Sequence, residues 1–131
     1  KYHFPKPCML GSKIAPFVNS CIDISDGFIG DLSKLLKNNY GVNLIYSKVP
    51  FSQKTKKIIK NNKTDPFLLL NGGDDYELIF TSSSKYDYQI EQIANKYKFK
   101  ITKVGKIIDK KGVFLDDKKF INSNNAFEYF F

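Results

Sequence analysis

Arginine is absent from the 131 residues: all 21 basic side chains are lysine. Arginine is the usual residue for bidentate recognition of bases and phosphates. The net charge of +8 is therefore not read as a nucleic-acid signal, and no nucleic acid is expected among the partners. The lysines scatter along the chain as solvated faces, and their field is of a sign that attracts anionic metabolites. Histidine occurs once, at His3, which excludes His-based zinc sites and Ser–His or Cys–His catalysis within this chain. The two cysteines, Cys8 and Cys21, form neither a metal-ligand spacing nor a CxxC pair. Cys21 falls in an apolar segment and is expected to be a small core residue. Nothing points to an oxidising compartment, so the cytoplasm is expected. No apolar run approaches the roughly 20 residues that span a bilayer, so no membrane partner is expected, and no signal-peptide pattern is visible. A Walker A sequence, a dinucleotide fingerprint and a protein-kinase signature set are also missing.

Hydrophobic residues make up 42% of the chain, a globular level. Its length predicts one domain over residues 1–131. The chain opens on Lys1 rather than Met and reads as a fragment of something longer, with residues 1–7, which hold two prolines, as a linker. Periodicity predicts helices over 8–14, 27–38, 52–62 and 86–97, with Gly41 capping the second. Ile58 and Ile59 are expected to face inward from the third. It predicts strands over 20–24, 42–46, 76–81 (with Tyr76, Leu78 and Phe80 on one face), 99–108 and 113–115. A polar loop and an apolar turn lie between 61 and 70. Lys110-Lys111-Gly112 and Asp116-Asp117 read as hairpin turns, the second leading into Phe120-Ile121. Helices mixed with hairpins argue for α+β, a largely antiparallel or mixed sheet packed with helices.

Ile22-Asp23-Ile24-Ser25-Asp26-Gly27 is the most informative stretch. It reads as a strand end, a tight turn and a helix start. A helix N-terminus attracts phosphate through free N–H groups and its dipole. Carboxylates there would repel phosphate unless a divalent cation lay between them, and Mg²⁺ is commonly held by one or two carboxylates plus substrate phosphates. A Mg²⁺–nucleotide site at Asp23, Ser25 and Asp26 is one reading. The other is helix capping, which suits Ser25 or Asp26. Capping leaves Asp23 without a role, because a carboxylate at the end of an apolar strand is costly unless paired or metal-bound.

Asn71-Gly72-Gly73-Asp74-Asp75-Tyr76-Glu77-Leu78 is the second constellation. Gly72 and Gly73 permit positive φ or close approach by a ligand. Asp74 and Asp75 put two acids at the entrance of a strand. A Gly-Gly turn with a solvated acidic edge explains the segment equally well. A sheet could bring the two acidic edges together.

Taken in order, Cys21-Ile22-Asp23-Ile24-Ser25-Asp26-Gly27-Phe28, Val49-Pro50-Phe51-Ser52, Gly72-Gly73-Asp74-Asp75-Tyr76-Glu77-Leu78-Ile79-Phe80-Thr81, Val104-Gly105-Lys106-Ile107 and Ala126-Phe127-Glu128-Tyr129-Phe130 resemble thiamine-monophosphate kinase, over its C-terminal domain. Relatives of the same architecture include aminoimidazole ribonucleotide synthase, selenophosphate synthetase and a hydrogenase maturation factor. The resemblance implies ATP-dependent phosphorylation of thiamine phosphate to thiamine diphosphate, by direct in-line transfer with several Mg²⁺ ions and no covalent catalytic residue. It implies that Asp23 and Asp26 are Mg²⁺ ligands and that Ser25 contacts ATP. Asp74 takes the place of a Glu that contacts thiamine phosphate, and Phe127 falls where an aromatic packs on that substrate. Gly27, Gly72, Gly73 and Asp75 support these groups. It also implies an N-terminal ATP-binding domain as the partner of this one, a homodimer formed through it, and an isolated fragment that is inactive. The alternatives are another ATP-dependent enzyme of the same architecture, a non-catalytic nucleotide- or partner-binding domain, and a basic nucleic-acid binder.

Overall fold

A computed structural model of the chain describes residues 9–37, 39–61, 69–70 and 77–119. Their elements, in order, are α1 (Leu10–Ile14), β1 (Ser20–Asp23), α2 (Phe28–Leu36), β2 (Gly41–Leu44), α3 (Gln53–Asn61), β3 (Leu78–Thr81), α4 (Asp87–Tyr97), β4 (Gly105–Ile108), β5 (Gly112–Leu115) and β6 (Lys118–Lys119). Short 3₁₀ turns cover Ala15–Phe17, Tyr46–Lys48 and Ser84–Tyr86. The first of them carries Pro16 at its start, where a missing N–H does no harm.

Two sheets result, and the fold is α+β. β1 and β3 pair antiparallel, with Ser20 opposite Thr81 and Asp23 opposite Leu78. The second sheet has the order β4-β2-β5-β6 and is mixed: β2 runs antiparallel to β4 and parallel to β5. α2 packs on β1 and β5. Its Ile29, Leu32 and Leu36 join Ile24, Val42, Leu44, Leu70, Ile79, Val113 and Leu115 in one buried cluster. Burying each such side chain contributes about 1.5–3 kcal/mol relative to exposure.

Several details depart from the sequence expectations. β2 lies between β4 and β5, so Lys110-Lys111-Gly112 links two strands that do not pair with each other. Among the described residues only β5 and β6 form a hairpin, across Asp116 and Asp117, both at positive φ. That conformation matches the strand twist and is one that Asp tolerates. The strand expected over 99–108 is ordered as β4 only from Gly105, because β2, its partner, is four residues long. The helix expected over 27–38 ends at Leu36, and its left-handed C-cap is Lys37 rather than Gly41. Gly41 instead opens β2, where a Cβ would sit 1.9 Å from the Lys110 carbonyl oxygen. In α3, Ile58 is exposed.

Leu78 and Phe80 share a face of β3, as the alternation predicts, and that face is the outward one. Ile79 is buried against Ile22, whereas Leu78 is 49% exposed. Residues directly opposite in an antiparallel pair share a face. Cys21, Asp23 and Leu78 therefore share the outward face, and Cys21 is not a core residue. Its thiol is nonetheless pushed up by partial desolvation and by the nearby Asp23 charge.

Candidate functional site

The chain leaves β1 at Asp23 and enters α2 at Phe28. Gly27 makes that turn, at φ 122° and ψ 148°, a positive-φ extended conformation essentially confined to glycine and costing an L side chain about 1–3 kcal/mol. Asp23, Ser25 and Asp26 are all exposed around the turn. The burial cost that set Asp23 apart in the sequence does not arise, because its strand presents it outward.

The junction does meet the end of the second constellation, Glu77 and Leu78. The Ile24 N–H donates to the Glu77 carbonyl at 2.8 Å, extending the β1–β3 ladder by one step past Asp23. Glu77 follows Asp74 and Asp75 by three and two residues along the chain. Gly72, Gly73, Asp74, Asp75, Phe127 and the linker at 1–7 lie outside the described residues.

The buried acid of this region is Asp31, which sequence reasoning passed over. It is 1% exposed, in the first turn of α2. Its Oδ2 accepts the backbone N–H groups of Ser25 at 2.8 Å and Asp26 at 2.9 Å. Its Oδ1 accepts the Lys34 ammonium at 2.9 Å, one turn along the helix. Lys34 also donates to Asp26 Oδ2, so a single ammonium joins the two carboxylates. The N–H groups of Ser25 and Asp26 are thus occupied from within the chain.

Electrostatics follow from this network. Burial raises the proton affinity of Asp31, but hydrogen bonds from Lys34 and from the Asp26 and Ser25 backbone outweigh it and hold its carboxyl below the usual range. Lys34 is held above the usual lysine range by its hydrogen bonds to Asp26 and Asp31. A sequence signal for Asp31 existed. It lies three residues after Phe28 and four before Leu35, so helical spacing sets an acid on the apolar stripe.

Among the described residues, no three His, Cys, Asp or Glu side chains converge on one point. The exposed carboxylates of Asp23 and Asp26 offer two hard oxygen groups, enough for a cation that also takes ligand oxygens. No helix among the described residues is long and apolar enough to cross a membrane.

No family model matches the chain. Known proteins do. A thiamine-monophosphate kinase of Buchnera aphidicola subsp. Schizaphis graminum is 36% identical over 126 residues, covering 92% of this chain and 38% of that protein. Among solved structures, thiamine-monophosphate kinase from Stenotrophomonas maltophilia K279a superposes with a TM-score of 0.76 at 27% identity, over 88% of this chain and 37% of that one. A structure described as AaThiL complexed with AMPPCP and TMP gives 0.63 at 29% identity, over 83% and 33%. The chain spans about two fifths of the length of the curated relatives it matches. Over that span its ordered motifs, its α+β topology and its relatives agree, and the chain is similar to the corresponding part of thiamine-monophosphate kinases.

Proposed function

We propose that the chain is the C-terminal, substrate-side domain of a kinase that transfers the terminal phosphoryl group of ATP to thiamine phosphate, giving thiamine diphosphate and ADP. One observation carries this reading. The acidic end of β1 lies against the start of β3, with the Ile24 N–H bonded to the carbonyl of Glu77, the last residue but one of the second motif. The relatives' shared name supports it, as does the solved family member with AMPPCP and TMP, which we read as an ATP analogue and thiamine monophosphate.

Phosphoryl transfer asks little covalent work of the protein; positioning and charge neutralisation dominate. The donor set at the β1–α2 turn fits a hard divalent cation. Asp23 and Asp26 would hold Mg²⁺, which when bound neutralises charge on the phosphates. Ser25 contacts ATP beside them. Asp74 contacts thiamine phosphate and Phe127 packs on it. The remainder of the nucleotide site and the homodimer contact belong to an N-terminal ATP-binding domain of the same protein, and residues 1–131 alone are inactive. The reaction is cytoplasmic and involves neither nucleic acid nor membrane.

The test is an assay of the full-length protein with ATP, Mg²⁺ and thiamine phosphate, following product by mass. Thiamine diphosphate formed one-for-one with ADP supports the reading. A folded full-length protein that makes none, while turning over ATP with another phosphorylated substrate, contradicts it.

A further inference from the structure

We propose that Asp31 is the positioning residue of this site: its buried carboxylate sets the backbone of Ser25 and Asp26 and thereby the aim of the Asp26 carboxylate at metal–nucleotide. The inference rests on the kinase reading above.

Three observations converge on it. The carboxylate is buried, and among the described residues its partners are the β1–α2 turn and Lys34. Its Oδ2 receives two consecutive N–H groups, which fixes two peptide planes at once. Hydrogen bonds to an ionised acceptor are roughly twice as strong as neutral ones, so a charge suits this task better than an amide. Lys34 answers the resulting problem. Asp26 and Asp31 are like charges drawn together by the turn, and one ammonium lies between them. Asp31 thus touches neither nucleotide nor metal in this scheme. It acts through the groups that do, as outer partners of metal ligands commonly do.

An amide in place of the acid keeps the size and one acceptor oxygen. It turns an NH₂ toward either the two N–H groups or the Lys34 ammonium, donor against donor. The experiment uses the full-length protein, wild type beside Asp31→Asn, with two readouts. Amide hydrogen exchange is followed at Ser25 and Asp26, with the Ile24 amide as internal control. Calorimetric titration measures Mg²⁺–AMPPCP and, separately, thiamine phosphate. The expected result is exchange at Ser25 and Asp26 faster by about tenfold or more with Ile24 unchanged. Mg²⁺–AMPPCP should bind about tenfold or more weakly, and thiamine phosphate within about twofold of wild type. Unchanged exchange and nucleotide binding would overturn the proposal. So would equal weakening for both ligands, which is what a merely structural role gives. Should Asp31→Asn not fold, Lys34→Met carries the test, and wild-type affinity for Mg²⁺–AMPPCP then overturns it. A wild-type protein that binds neither ligand contradicts the kinase reading itself.

Discussion

The backbone N–H of Ser25 donates to the Asp31 carboxylate at 2.8 Å, six residues along the chain. This contact ties the turn after β1 to the first turn of the following helix. Asp31→Ala would leave the Ser25 and Asp26 N–H groups without their acceptor and open a hole at a buried position. The expected cost is about 3 kcal/mol of global stability. Urea unfolding of the full-length protein checks it; a midpoint within error of wild type contradicts it.

The same carboxylate makes stability depend on acid. Its folded pKa lies below the unfolded value, so its contribution is fully present above about pH 4 and is lost as pH falls through the lower folded pKa. Lys34 runs the other way, with a folded pKa above the unfolded one. Its contribution is present below about pH 10.4 and is lost as pH rises further. Neither group titrates between those limits. Wild type is expected to lose stability more steeply than Asp31→Asn between pH 4 and pH 2. Parallel unfolding curves would contradict the assignment.

Two glycines separate backbone need from helix propensity. Gly41 has the Lys110 carbonyl where its Cβ would go, so Gly41→Ala should destabilise by about 3 kcal/mol through forced displacement of β2. Gly30 lies inside α2 with open space around it, and Gly30→Ala should stabilise by about 0.5–1 kcal/mol. Thermal unfolding distinguishes the two signs.

Asp74 bears on substrate rather than nucleotide. Asp74→Asn in the full-length protein is expected to raise the KM for thiamine phosphate by about tenfold, consistent with loss of one charged hydrogen bond, and to leave the KM for ATP unchanged. Steady-state kinetics with each substrate varied in turn checks this. An unchanged thiamine-phosphate KM would remove Asp74 from the contact.

Much of the architecture was legible because it is local. Phe28, Ile29, Leu32 and Leu36 follow one helical stripe, and the β1 end and α2 start fall within a residue or so of where the residues place them. Facing was less legible. Alternation in Tyr76, Leu78 and Phe80 marks a strand, but which side is inward depends on the partner, and pairing with Ile22 turns Ile79 in. Pairing across the chain was not legible at all: nothing near Lys110 signals that β2 inserts between β4 and β5. For the site, Asp23 drew attention through a burial cost that its outward-facing register removes. Asp31, on the apolar stripe, is the acid to which that argument applies.

The most direct measurement is thiamine diphosphate formation by the full-length protein across a Mg²⁺ titration, wild type beside Asp23→Asn. The account predicts product from wild type and a fall of about two orders of magnitude or more in Asp23→Asn at equal fold, partly restored by high Mg²⁺. Wild-type turnover and an unshifted Mg²⁺ requirement in Asp23→Asn would contradict the metal role of the β1–α2 turn.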